Sequence, residues 1–277
     1  MLLLACVLNE KNMHTTITEA IREVFRFRHL LFALTQREIR VRYKETAMGF
    51  LWAILMPTMV VVAGILVRKA FSIVSGKPLE TDALISVMVK SLPWAFFVGS
   101  IRSTTNCLLA NSNLVTKIYF PREVFPFSSI LAQLFDFAVG LTLLIILIAL
   151  SGFNPSFHLL WVPLLIVLLI VLTAGLGLLL SCTTLFFRDV KYIVEIFLTF
   201  GVLFTPVFYE SSMFGDWSRV LLLNPVGSIL EGINDAVVIQ KHPDLYWVSY
   251  SACCAIGSFF VAWLIFDKAE AAFAERI

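Results

Sequence analysis

Residues Arg37 to Val67 read REIRVRYKETAMGFLWAILMPTMVVVAGILV, and the fold turns on the contrast between the two halves. Arg37, Arg40, Arg42 and Lys44 crowd the first half, whereas Ala47 to Val67 holds no ionisable residue. An apolar run of bilayer length abutted by a basic cluster marks a membrane span and its cytoplasmic end together. The chain is therefore expected to leave the cytoplasm at about Gly49.

The rest of the composition agrees. Apolar residues make up 59% of the 277, charged residues 14%, and mean hydropathy is +0.90, far from a soluble domain and right for an all-α integral membrane protein. A net charge of +2 is too small to argue for nucleic acid. The five cysteines sit mostly in apolar runs without metal-ligand spacing and read as small apolar residues. The opening MLLLACV lacks the basic start and the length of a signal peptide, and Met13 is an equally good first residue.

From Thr15 to Leu34 apolar residues recur at helical spacing with Arg22, Arg26 and Arg28 between them. That pattern suits an amphipathic helix on the inner membrane surface; an ordinary helix half-buried against the bundle is the other reading. Residues 1–46 are thus expected to form a cytoplasmic segment, and 47–277 a six-span domain. The spans are placed at about Gly49–Val67, Leu84–Leu109, Phe125–Leu150, Leu160–Leu185, Ile193–Phe208 and Tyr246–Phe266. Arg68 and Lys69 are expected to snorkel at the outer end of the first, and Lys90 and Pro93 to break the first turns of the second. Between Glu210 and Lys241 the apolar pieces are about half the ~20 residues a span needs, so two short helices dipping into the outer leaflet are expected. Fourteen Lys and Arg fall in the inner segments and six in the outer ones, which puts both termini in the cytoplasm.

The stretches RVRYKETAMGFLWAILMP, NLVTKIYFPREVFP, FFRDVKYIVE, TPVFY, LLLNPVGSIL and the terminal FAERI, taken in this order, resemble one family. It is the membrane-spanning subunit of ABC-2 type exporters of cell-surface polysaccharides: O-antigen, capsule and teichoic acid permeases. The resemblance covers about Val24 to Ile277. It implies a homodimer of six-span subunits in the bacterial plasma (inner) membrane, joined to two copies of a separate ATPase that carries the ATP and Mg. The cargo implied is a glycan on an undecaprenyl-pyrophosphate or similar lipid. The chain has no GxxxxGK[ST] loop, HExxH or nucleophile elbow, which fits a transport subunit with no cofactor, metal or catalytic residue of its own.

Several residues gain roles beside this resemblance. Arg40, Arg42, Tyr43 and Lys44 stand where a pyrophosphate headgroup would sit, since guanidinium forks suit phosphate oxygens; alternatively they only fix topology. A short helix from Leu114 through Thr116, Lys117 and Ile118 to Tyr119 resembles the family's ATPase coupling segment, with Arg188 and Asp189 as a second contact; a plain loop is the alternative. Arg102 and Asp136 lie inside spans at similar depth, and a buried pair between them is expected, ahead of a proton relay or a glycan contact. Phe50, Trp52, Phe204, Phe208 and Tyr209 are candidates to stack on sugars in a channel, against the plainer reading that they face lipid. Asn224, Pro225, Glu231 and Asp235 resemble the family's outer gate.

Two further readings stay open. One keeps the fold and changes the cargo to a drug, lipid or peptide. The other is an integral-membrane enzyme acting on undecaprenyl-linked sugars, which needs a cluster of carboxylates, His or Arg at one interface. The outer charges in this sequence are scattered.

Overall fold

A chain inside a bilayer must satisfy its backbone internally, and the described part of this one does so with helices alone. The structure, a computed structural model, describes residues 26–44, 51–75, 81–117, 120–150 and 156–276. Among these, ten α-helices run in order: α1 Arg28–Lys44, α2 Leu51–Ser75, α3 Thr81–Ala110, α4 Ser112–Lys117, α5 Val124–Leu150, α6 Trp161–Phe186, α7 Val190–Phe204, α8 Ser218–Leu222, α9 Pro225–Asn234 and α10 Leu245–Arg276. Short 3-10 turns at Phe157–Leu160 and Ser211–Trp217 and a π turn at Asp235–Ile239 join them.

Four stretches, Asp82–Ala110, Val124–Ala149, Phe157–Phe186 and Leu245–Glu270, are long and apolar enough to cross a membrane. The 25-residue α2 has comparable length. The 15-residue α7 rises only ~22 Å against a hydrocarbon core of ~30 Å. It ends at Phe204, four residues before the expected Phe208, because Thr205 precedes Pro206 and is extended (φ −112°, ψ 131°).

The centre of the bundle is α3 and α6. α3 packs on α2, α5, α6, α7 and α9, and α6 on α10, α3, α5 and α9. Lipid is as apolar as leucine, so close packing and internal hydrogen bonds, not hydrophobicity, hold such helices together. Gly175 shows the packing: a Cβ there would lie 2.6 Å from the backbone nitrogen of Phe259, so α6 and α10 touch backbone to backbone. The hydroxyls of Thr173, Ser181 and Thr184 are buried in α6, and Thr173 donates to the Leu169 carbonyl at 2.7 Å.

Two expectations are corrected. Helix α2 continues past Val67 to Ser75, and Arg68 does not snorkel: it is 8% exposed and donates to Glu210 at 2.7 Å. Helix α3 runs unbroken through Lys90 and Pro93, and the Lys90 ammonium is buried inside the bundle, donating to the Tyr209 carbonyl at 2.6 Å. The charged tail is the last part of α10, where Phe273 is fully buried against Phe266 and Phe186. Of the amphipathic segment Thr15–Leu34, the first eleven residues lie outside the described ones. Residues 28–34 belong to α1, which packs along α5.

Candidate functional site

Helix α1 and the first half of α5 build the first candidate site. Glu38 accepts from the Ser129 hydroxyl at 2.7 Å, and one helical turn later both Arg42 and Tyr43 donate to Asp136. Contacts therefore advance together along the two helices, and α1 runs beside α5. The Gln133 amide, turned with its oxygen toward Arg42, accepts a further bond at 3.0 Å. Arg37 donates to Asn111 at 3.1 Å, tying α1 to the end of α3 as well. Burial pushes the Glu38 carboxyl above the usual carboxylate range, against the pull of Ser129, Arg42 and Arg37, and its Oε2 has no hydrogen-bond partner. Beside these groups lies a cleft of about 310 Å³ lined by Arg37, Glu38, Arg42, Asn111, Phe125 and Ser128.

The four expected headgroup residues thus divide. Arg42 and Tyr43 are half-buried and committed to Asp136, whereas Arg40 and Lys44 are exposed on α1.

The expected Arg102–Asp136 pair does not form. Arg102 instead grips Glu195 of α7 with two bonds, Nε to Oε1 at 2.7 Å and NH2 to Oε2 at 2.8 Å. Helical phase accounts for the difference. Phe96 of α3 meets Phe137 of α5, and Arg102 follows six residues later, turned by about 240° at 3.6 residues per turn. It faces away from α5, toward α7. Asp136 is filled by two donors from α1.

At the same end, α4 begins at Ser112, two residues before the expected helix, with Leu114 half-buried and Val115 buried. The side chains of Thr116 and Lys117, and residues Ile118 and Tyr119, lie outside the described part. Arg188 and Asp189 are exposed in the turn between α6 and α7. Sequence reasoning missed the anchor next to α4: Arg122 donates to the Glu270 carbonyl and lies 5.7 Å from the Phe273 ring. The signal for it, Phe273 spaced seven residues after Phe266 in a charged tail, was present.

Of the aromatic candidates, Phe50 and the side chain of Trp52 are outside the described part. Phe204 is exposed, while Phe208 is half-buried against the core and Tyr209 is half-buried, packed on Phe214 and donating to the Leu203 carbonyl. Tyr192, Phe197 and Phe200 join Phe204 as exposed rings on α7, a stripe legible from its spacing but not singled out.

The second candidate site is at the other end of the bundle. Asn224 caps α9, its side chain accepting from Val226 N at 3.1 Å and donating to Thr205 at 2.9 Å, with Pro225 at the first helical position. Glu231 accepts from Ser211 N at 2.6 Å and stands 3.9 Å from the Lys90 ammonium. Asp235 pairs with Lys241 at 3.2 Å. Arg68 and Lys90 thereby fasten the 205–240 segment to α2 and α3, two contacts that nothing in the local sequence announces.

Residues 29–237 match the ABC-2 type transporter family. The O-antigen export system permease protein RfbA of Myxococcus xanthus is 29% identical over 260 residues, covering 93% of this chain and 98% of that protein. Two proteins of the same name from Klebsiella pneumoniae are each 26% identical, over 248 and 252 residues, each covering 89% of this chain and 94% of its own length. A family match that takes in α1 and runs to the π turn, across both candidate sites, places this multi-pass membrane protein in the ABC-2 type transporter family.

Proposed function

We propose that this chain is the membrane subunit of an ATP-driven exporter that moves a lipid-linked polysaccharide of the O-antigen type across the bacterial inner membrane. The observation that carries the reading is the similarity, along almost the whole length of both chains, to permeases of O-antigen export systems. Two subunits, each with six spans and both termini in the cytoplasm, form the path, α2 and α7 completing the set begun by the four long apolar helices. Two copies of a separate ATPase bind ATP and Mg and push on α4 and on the Arg188–Asp189 turn.

The inner geometry suits a lipid pyrophosphate. Exposed Arg40 and Lys44 lie on the helix whose Arg37 and Arg42 are anchored to Asn111 and Asp136 and line the cleft next to them. A charged headgroup drawn from the inner leaflet meets fixed cations there at small cost in side-chain ordering. The exposed Arg102–Glu195 pair belongs to the same path, because a half-exposed ion pair facing lipid at that depth is costly and one facing water is not.

The test is co-purification with the candidate ATPase, followed by hydrolysis assays of the wild type, Lys117→Glu and Tyr119→Ala. The expected result is a stable complex whose hydrolysis drops in both variants while assembly holds. If no ATPase binds, the export reading is lost and an enzyme acting on lipid-linked sugars replaces it.

A further inference from the structure

The last helix is longer than a membrane crossing needs. α10 has 32 residues and rises ~48 Å, against a hydrocarbon core of ~30 Å, so its final turns project beyond the core at the α1 end. They are packed there. A buried cluster separate from the main core gathers Val115 of α4, Phe120 and Phe125 at the junction of α4 and α5, and Phe266 and Phe273 of α10; Leu34 of α1 packs against it.

Phe273, with no exposed surface, is the hub of that cluster. Its ring meets Phe266 edge-on at 5.2 Å and Phe186, at the end of α6, at 6.1 Å. The Arg122 guanidinium stands 5.7 Å from the centroid of the same ring, within reach of a cation–π attraction. Arg122 also donates to the Glu270 carbonyl, and its backbone N–H points at Glu270 Oε1 at 3.4 Å. The end of α10 is therefore fixed in direction as well as buried.

Its partners lie beside the two surfaces assigned above to the ATPase. Phe186 comes two residues before Arg188, and Arg122 five residues after Lys117. Those surfaces belong to different helix pairs: α4 follows α3 and leads to α5, whereas the Arg188–Asp189 turn joins α6 to α7. α10 packs along α6 and also on α4, so it is in contact with both. A close-packed interior has low compressibility, and a push on one surface is passed to the other through the ring between them.

We propose that the end of α10 is a tie that makes α4 and the Arg188–Asp189 turn move as one body, with Phe273 and Arg122 as its positioning residues. That these surfaces receive an ATPase rests on the export reading above; the tie between them does not.

The test measures glycan exported per ATP hydrolysed by the assembled complex, and hydrogen exchange in the full chain in lipid nanodiscs. Phe273→Ala and Arg122→Met, the second of which removes the guanidinium without opening a cavity, are expected to lower export per ATP about threefold or more while hydrolysis continues. Phe273→Leu, which keeps most of the volume, should recover most of the ratio. Phe97→Ala removes a buried ring from the main core and should lower stability with the ratio unchanged. In Phe273→Ala, amides of residues 114–115 and of 190–193 should exchange faster together. If Phe273→Ala does not assemble, Arg122→Met decides. An unchanged ratio in the assembled variants, an equal fall in Phe97→Ala, or faster exchange confined to the end of α10 overturns the proposal. If Lys117→Glu disturbs hydrolysis while the tie variants change nothing, only the tie falls. If no ATPase binds, the export reading falls, and the exchange measurement still judges the tie.

Discussion

Asp136 shows how much one side chain can organise. It receives Arg42 and Tyr43 from a helix 93 and 94 residues earlier, fixing α1 to α5. Removing it leaves two half-buried donors without their acceptor, and a loss of about 1–3 kcal/mol is expected for Asp136→Ala. Thermal melting of a double-mutant cycle checks the partner: Arg42→Ala and Asp136→Ala should be strongly non-additive, while Arg102→Ala and Asp136→Ala should add, since they share no contact. Additivity in the first pair and coupling in the second would reverse the assignment. Asp235 offers a test in pH. Burial raises its carboxyl to about 6, Lys241 opposing and Glu231 and Asp244 adding to the rise. The folded state therefore binds the proton more tightly than the unfolded one, and stability contributed by this residue falls as pH rises from about 4 through about 6. Asp235→Asn escapes that loss, so its melting temperature should gain on the wild type between about pH 5 and about pH 7.5; a constant difference would count against the buried placement.

Individual contacts between the helices can be tested one position at a time. At Gly175 an added side chain meets the α10 backbone, which cannot rotate away, so Gly175→Val is expected to cost about 1–3 kcal/mol. Gly257, on α10 itself, has nothing within 4 Å of an added Cβ; Gly257→Ala should be neutral or stabilise by up to ~1 kcal/mol through helix propensity. Equal effects at the two glycines, read from melting curves, would contradict the crossing. The start of α9 depends on Asn224, and Asn224→Ala should cost about 1 kcal/mol for the cap, with Asn224→Gly milder. Faster proteolysis between Thr205 and Lys241 in the alanine variant would show that the loss is local. The kink before α8 has its own cause: Gly215 sits at φ 54°, a conformation that a residue with a Cβ resists.

For the whole molecule, the two ends are chemically unlike. At the α1 end Arg40 and Lys44 are exposed and have no ion-pair partner among the described residues, whereas at the other end Arg68, Lys90 and Lys241 stand within 4 Å of carboxylates. Reversing charge at the first end with Arg40→Glu and Lys44→Glu should leave stability alone, because both side chains are exposed. Export of the lipid-linked glycan is expected to fall roughly tenfold or more with the loss of charge-assisted phosphate contacts. Melting curves beside a surface-glycan assay check both halves of that statement, and unchanged export would remove the headgroup role.

Local composition determined the class of the protein. Bilayer-length apolar runs, the basic stretch at 37–44 and the Asn-Pro start of α9 each act over a few residues, and the order of the helices follows from them. What stayed hidden was pairing between distant elements. Arg102 and Asp136 were matched by depth, and a helix has a phase as well as a depth; six residues turned Arg102 toward Glu195. Lys90, expected to break the start of α3, is the buried peg of the 205–240 segment because Tyr209 and Glu231 come to it from more than a hundred residues away. Apolar patterning tells a helix that it belongs in the membrane. Only the packed bundle decides which side chains meet, since a charge in a low-dielectric interior takes the partner that tertiary structure brings within reach.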